Sequence, residues 1–332
     1  MSKVTFSEDD IRPVTNNCEK STALLKDIGF LLFHREQFVE VNCPVCGCKG
    51  SSYFTKNCFE YKRCPICATV FVTPRPSEQL LAQFYAKSAT YAYWNLHIFP
   101  QSESSRIEHI IEPRVTRVIE LCRMQDIVAP RLLEVGPGYG TFAKCIRSRR
   151  FCSEIDLVEL SEDLAAECAS QGFHVRSQIN RNDVERPYDI IASFETLEHI
   201  FSPKSFLQEC FEILRPGGLL IITVPNFQGF EISTLKLVSR SVDHEHLNYF
   251  NPKSLSNLFE DCGFVIASVQ TPGELDCDIV RNAILSGSID FAQDSFLYHI
   301  LIEKWEQVGM DFQAFLKSNL LSSHLWVAGK KP

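Results

Sequence analysis

The chain reads as an α/β protein built on a doubly wound, mostly parallel sheet. Three observations carry that reading. Short apolar runs alternate with helical segments from residue 131 to 224. The first run, Leu132, Leu133 and Val135, enters a turn with glycine at 136, 138 and 140. Arg215-Pro216-Gly217-Gly218 then separates a helix from a further apolar run by proline and glycine chemistry.

The elements follow in order. Residues 131–135 suit a strand covered on both faces. Glycine tolerates positive φ and lets a ligand approach the backbone, and the turn opens onto a helix over 141–149. Residues 155–160 form a second strand ending at Glu159, about 20 residues beyond the glycines, where such a fold places a carboxylate on vicinal ribose hydroxyls. Ser161 caps a helix to Gln171. Strands are expected at 174–177 and 188–194. Pro203 to Leu214 reads as a helix with Ser202 as N-cap, and 219–224 as the fifth strand.

The glycine spacing decides between nucleotide classes. A dinucleotide fingerprint needs glycine at 141, where this chain has Thr141. The actual pattern is E-x-G-x-G-x-G from Glu134. With Glu195-Thr196-Leu197-Glu198-His199 after the fourth strand, and the Leu-Arg-Pro-Gly-Gly turn before the fifth, it resembles the class I S-adenosylmethionine (SAM) methyltransferases over about residues 115–332. The resemblance implies a Rossmann-like, seven-stranded sheet and SAM as cofactor. Glu134, Gly136, Pro137, Gly138 and Gly140 would lie around it, with Glu159, Leu160, Phe194 and Glu195. A tight turn without ligand is the bland alternative for the glycines. A satisfied, half-buried ring is the alternative for His199.

Cys43-Pro-Val-Cys46 and Cys64-Pro-Ile-Cys67 stand seventeen residues apart. Two such knuckles suit a tetrahedral four-cysteine zinc site, with four protein ligands and therefore a structural ion. The aromatic residues Tyr53, Phe54, Phe59 and Tyr61 between them fit a small hairpin, and the unit resembles a zinc ribbon. The first twenty residues are largely polar, which argues against a secretory signal and hence against disulfides. Cys48 and Cys58 are spare.

Fourteen cysteines among 332 residues accordingly suggest a reducing, cytoplasmic setting. A net charge of −8 and a pI near 5.7 argue against extended nucleic-acid binding. The small clusters Lys56, Lys62, Arg63 and Arg147, Arg149, Arg150 read as solvated faces. No run approaches the eighteen apolar residues of a membrane span.

The organisation expected is a packing segment at 1–40, the ribbon at 41–76, a helical cover or linker at 77–125 and the main domain at 126–332. Ser77 should cap a helix at 78–85. Tyr91, Tyr93, Trp94 and Phe99 mark the cover, which either closes over a site or pads two domains. A helix is expected at 112–124. A further helix should run from 252 to 262, with Gly263 closing it and a strand over 264–269. Helices at 276–285 and 296–316 form an insertion of about 271–323, either a roof or a dimer contact. Residues 325–330 resemble the antiparallel last strand of the methyltransferase sheet.

Residues 243–250, Asp-His-Glu-His-Leu-Asn-Tyr-Phe, are the most chemical segment. They resemble a loop of sugar C-methyltransferases that carry an N-terminal four-cysteine zinc domain. The resemblance makes His246 the base, assisted by Glu245, with Tyr249 lining the pocket. Asp243 replaces that family's tyrosine, and its C-terminal extra domain has no counterpart here. His244, Glu245 and His246 could instead ligate a metal, or simply cap the next helix. The reading is a SAM-dependent methyltransferase of a small polar acceptor, with a nucleotide-linked sugar first. RNA or protein methylation, with the ribbon docking the substrate, is the second reading. A non-catalytic SAM-binding scaffold is the third, which the intact glycines and Glu159 argue against.

Overall fold

The computed structural model describes residues 6–13, 17–179 and 186–332. Residues 1–5 and 14–16 of the expected packing segment lie outside the described residues. The N-terminal third holds β1 (Phe38–Val39), β2 (Ser51–Lys56), β3 (Phe59–Arg63), β4 (Val70–Val72) and β5 (Arg75–Pro76). The main domain contributes β6 (Arg131–Val135), β7 (Glu154–Val158), β8 (His174–Arg176), β9 (Tyr188–Phe194) and β10 (Leu214–Pro225). β11 (Asn248–Tyr249), β12 (Val265–Gln270) and β13 (His324–Lys330) complete the set.

The main sheet has seven strands in the order β12-β13-β10-β9-β6-β7-β8. β13 runs antiparallel to both neighbours, and the other pairings are parallel. From β6 the chain winds outward through β7 and β8, then returns to lay β9 on the other side of β6. The crevice between the carboxyl ends of β6 and β9 is the switch point at which such sheets bind ligands. This is the doubly wound sheet the sequence predicts.

Alternate residues of the central strands feed two cores, as the period of two requires. Leu133, Val135, Ile191, Leu220 and Ile222 face the helices Pro203–Ile213 and Pro252–Asp261. Leu132, Ile190, Leu219, Ile221 and Trp326 face the helix Glu112–Met124. The segment Arg215–Gly218 does not interrupt β10 outright. It forms a register shift between Leu214 and Leu219, with Gly217 at φ +78°. Ser202 stands at the N-cap as expected, but its hydroxyl meets that of Ser205 at 2.9 Å instead of a backbone N–H.

The cover segment is helical without a break from Ala89 to Met124. Turns at 94–98 and 107–111 with wider i→i+5 bonding link Ala89–Tyr93 and Phe99–Arg106 to Glu112–Met124. Pro100 and Pro113 each remove a donor there, which explains the irregular winding. The ribbon, in turn, is not a separate small sheet. Its strands β2, β3 and β4 continue into β11, giving the order β11-β4-β3-β2. Cys43, Val45, Cys64, Cys67 and Phe71 share one core with Leu255, Leu258 and Leu325 of the main domain.

The insertion folds as Asp276–Leu285, Phe296–Tyr298, a wide turn at 299–303 and Trp305–Ser318. Its Cys277, Val280, Leu301 and Leu316 bury Leu235 and Phe230. No helix among the described residues is long and apolar enough to cross a membrane.

Because the ribbon and the main domain share a core, the chain should unfold in one calorimetric transition. A separate ribbon transition, preceding loss of the sheet, would contradict that arrangement.

Candidate functional site

The glycine turn is built by backbone geometry. Gly136, Gly138 and Gly140 all have positive φ, at +73°, +56° and +67°. A Cβ on Gly136 would stand 2.5 Å from Thr196 Oγ1, so only glycine lets the two strand ends meet. Beside Gly138 a Cβ would meet nothing within 4 Å. The space next to that turn is open.

Three acids surround the crevice. Glu134 is 3% exposed, and its Oε2 has no hydrogen-bond partner. Burial pushes its carboxyl up to about 8, against the opposing pull of Arg114 and the N–H of Ala143. Glu159 accepts from Gly138 N–H at 3.2 Å and from Ser161 N–H at 2.9 Å. These bonds clamp the acid to the turn and leave further lone pairs on both oxygens. Leu160 beside it is 60% exposed. Glu195, at φ +51°, occupies left-handed backbone at the end of β9, which costs roughly 1–2 kcal/mol. Its Oε1 accepts from the Thr223 hydroxyl at 2.7 Å and stands 3.2 Å from His324 Nδ1. Phe194 packs on Phe142, with the Arg114 guanidinium 4.3 Å from its ring centre. Pro137 lies inside the turn, between two of the positive-φ glycines.

The residues present fit a SAM molecule. An orphaned carboxylate oxygen at Glu134 suits an ammonium. The open face at Gly138 admits a ligand against the backbone. Glu159 retains acceptors for a pair of hydroxyls.

Across the crevice, the segments 195–200 and 239–250 are stapled together. Leu247 N–H donates to Glu198 O at 2.9 Å, and Asn248 Nδ2 donates to Ile200 O at 2.7 Å. Asp243 Oδ1 accepts from the N–H groups of Glu245 and His246 at 3.0 and 3.2 Å, folding the triplet into a turn. His246 Nδ1 lies 2.8 Å from Ser241 O, and His199 Nδ1 lies 3.1 Å from Glu245 O. A carbonyl only accepts, so each Nδ1 donates, and each Nε2 keeps a free lone pair. The two rings meet edge to face at 4.7 Å.

The carboxylate grouped with this pair is Glu198, not Glu245. One ligand-capable atom from each of Glu198, His199 and His246 lies within 4.8 Å of the others, a set able to hold a cation. Glu198 is 1% exposed and its Oε2 has no partner. Burial, then Glu195, raises its carboxyl well above the usual range. Burial, then His246, lowers His199 to about 3. Glu245 instead groups with Asp27 and His244. Tyr249 is fully buried, and its hydroxyl accepts from Asp243 N–H at 3.0 Å.

The ribbon supplies much of the loop's support. Tyr61 OH donates to Asp243 O at 2.7 Å, and Lys56 Nζ donates to Ser239 O at 3.0 Å and to Val242 O. Lys56 is therefore a clamp, where the sequence reading made it part of a solvated face. Arg75, 1% exposed, bonds Asn248 Oδ1 and Phe201 O, both at 3.1 Å. Sequence reasoning gave no role to Arg75 or Asp27. Their only signal was an ionisable residue beside prolines, or on an otherwise apolar helix face.

The four knuckle cysteines converge. Sγ separations are 3.5 Å for Cys43–Cys67, 3.4 Å for Cys46–Cys64 and 3.7 Å for Cys46–Cys67. Tetrahedral zinc with Zn–S near 2.3 Å needs about 3.8 Å, so the donors fit. Gly47 N–H returns to Cys43 O at 2.9 Å and Ala68 N–H to Cys64 O at 3.1 Å. Each knuckle closes on a positive-φ residue, +71° and +59°. Cys48 and Cys58 stand outside this cluster.

A family model described as a methyltransferase domain matches residues 107–269. A probable SAM-dependent methyltransferase of Mycolicibacterium smegmatis is 27% identical over 28% of this chain and 39% of its own length. A second from Mycobacterium tuberculosis is 26% identical over 45% of this chain and 52% of its own. The chain thus spans about half or less of the length of these relatives. The ubiquinone biosynthesis O-methyltransferase of Vibrio cholerae is 24% identical over 51% of this chain and 72% of its own. Among solved structures, the magnesium protoporphyrin IX methyltransferase of Synechocystis, with bound SAH, aligns at TM-score 0.48. It is 11% identical, over 77% of this chain and all of that one. Residues 107–269 are thus similar to a methyltransferase domain.

The His199 environment generates a pH prediction. In the unfolded chain the imidazole takes up a proton below about 6.5, whereas the folded one resists until about 3. His199 therefore favours unfolding as pH falls through that window, by up to about 1.4 kcal/mol per pH unit. Urea unfolding at pH 7 and pH 5 should show a shallower acid loss for His199→Gln than for the wild type. Equal losses would mean the ring is protonated in the native state.

Proposed function

We propose that this chain transfers a methyl group from SAM to a small polar acceptor, with a nucleotide-linked sugar as first choice. The single observation that carries the reading is that the glycine turn, clamped to Glu159, packs through Gly136 on Thr196, just before Glu198 and His199 of the trio. Bound there, SAM supplies an electrophilic methyl on a sulfonium centre. Glu134 would hold its amino group and Glu159 its ribose hydroxyls, and Leu160 and Phe194 would offer apolar surface. His246 takes the acceptor proton at Nε2, its tautomer fixed by Ser241 O. Glu245 orients His199 through its carbonyl, and Tyr249 holds the turn through Asp243. Most of the rate gain comes from holding donor and acceptor in line. The likeness to a ubiquinone O-methyltransferase favours oxygen as the methylated atom. The ribbon holds one structural zinc on Cys43, Cys46, Cys64 and Cys67. Its β4 edge is spent on the loop, which favours scaffolding as its task.

Three experiments test this reading. Glu159→Ala should weaken SAM binding about 10- to 100-fold in calorimetry, since charged hydrogen bonds contribute ~1.5–3 kcal/mol each. Unchanged affinity would remove the ribose assignment. Cys64→Ser should lose the ribbon's zinc and lower the unfolding midpoint, because structural zinc contributes folding energy. Elemental analysis finding no zinc in chelator-free wild type would refute the ribbon assignment. His246→Ala should cut turnover by about 100- to 10,000-fold at unchanged SAM affinity, and wild-type turnover in that variant would place the base elsewhere.

A further inference from the structure

Next to the trio, Asp27, His244 and Glu245 form a second polar knot. One ligand-capable atom of each lies within 4.8 Å of the others, and His244 Nε2 stands 3.8 Å from Glu245 Oε1. Asp27 comes from the helix Asn17–Phe33, and the other two from the 243–250 loop.

The histidine is the anomaly. His244 is 2% exposed, and neither ring nitrogen has a hydrogen-bond partner. The rings of Phe59 and Phe84 lie 6.5 and 5.8 Å from it and offer no acceptor. A buried polar atom left unpaired is costly, and here one ring carries two. Thr90 Oγ1 is also buried without a partner, and Thr90 N–H donates to Asp27 at 2.9 Å. The 3.8 Å separation is too long for Glu245 to accept from the ring.

The charges point the same way. Asp27 is 3% exposed, and its carboxylate accepts from Ser88 Oγ at 2.7 Å and from Ala89 N–H at 2.8 Å. Among the described residues no lysine or arginine pairs with Asp27 or Glu245. A buried carboxylate and a half-buried one beside an imidazole that offers a lone pair lack a cation.

We propose that Asp27, His244 and Glu245 hold a divalent transition-metal ion. Imidazole nitrogen and carboxylate oxygen at about 2.0–2.2 Å suit zinc, and the 3.8 Å between His244 Nε2 and Glu245 Oε1 is close to the spacing two such ligands need. The imidazole disfavours magnesium and calcium. The ion ties the N-terminal helix to the loop that carries His246. It is distinct from the four-cysteine cluster and does not depend on the methyl-transfer reading.

The test is metal counting on the intact chain, purified without chelators and dialysed against zinc. The wild type should carry two tightly held ions. His244→Ala and Asp27→Asn should each carry one, while His199→Ala keeps both. Asp27→Asn preserves shape, so it remains informative if His244→Ala folds poorly. Cobalt loading gives a second reading. The wild type should show ligand-field absorption beyond the thiolate bands, and Asp27→Asn should lose only that part. A wild type that never exceeds one ion overturns the site. So does a second ion that survives both variants, or one lost with His199→Ala alone.

Discussion

The structure depends on a two-residue strand. Asn248 and Tyr249 pair with Phe71 and Val70, so the loop before the helix Pro252–Asp261 becomes the edge of the ribbon sheet. Val72 N–H also donates to Leu247 O at 2.9 Å, and Asn251 Nδ2 donates to Cys67 O at 3.0 Å. A short antiparallel pair is weak in isolation. Here it is backed by Phe71 and Phe250, both fully buried in the core that the two parts share. The ribbon therefore determines where His244, Glu245 and His246 stand.

The crevice is electrostatically costly. Glu134 and Glu198 are buried and Glu245 is half-buried, and burial raises each above the ordinary carboxylate range. Asp243 goes the other way. Burial opposes its ionisation, but the three histidines and the N–H of Glu245 override that and hold it low. A crevice that gathers one acid held low among several held high is poised to respond to cationic or proton-donating ligands. Such concentration of unfavourable burial belongs to sites kept for chemistry, since packing alone would select apolar residues.

Much of this architecture is legible in the residues because local chemistry and global fold agree. Leu132 to Val135, the alternating glycines and the capped helix from Ser161 each have one sensible reading, and Ser161 Oγ does accept from Leu164 N–H. The cysteine knuckles are legible for the same reason. What escapes the sequence is long-range. Nothing local tells that Val70–Val72 has a partner 177 to 179 residues onward, since Val70 pairs with Tyr249 and Phe71 with Asn248. Nothing local makes Lys56 a clamp rather than a surface charge, because its acceptors are main-chain oxygens of Ser239 and Val242. The grouping of His246 with Glu198 instead of its neighbour Glu245 is also tertiary. Adjacent residues in a turn point apart, and the carboxylate that arrives is the one on the strand-end segment.

The shared edge between β4 and β11 also sets what can be exchanged in redesign. In a doubly wound sheet, loops at the carboxyl ends of strands are ordinarily interchangeable parts. Here the loop's hydrogen-bonding edge, its Tyr61 and Lys56 anchors and its buried Arg75 belong to the N-terminal third of the chain. A graft of residues 239–251 onto another sheet would arrive without its frame. The transferable unit is the discontinuous pair of 41–76 and 239–251, carried together.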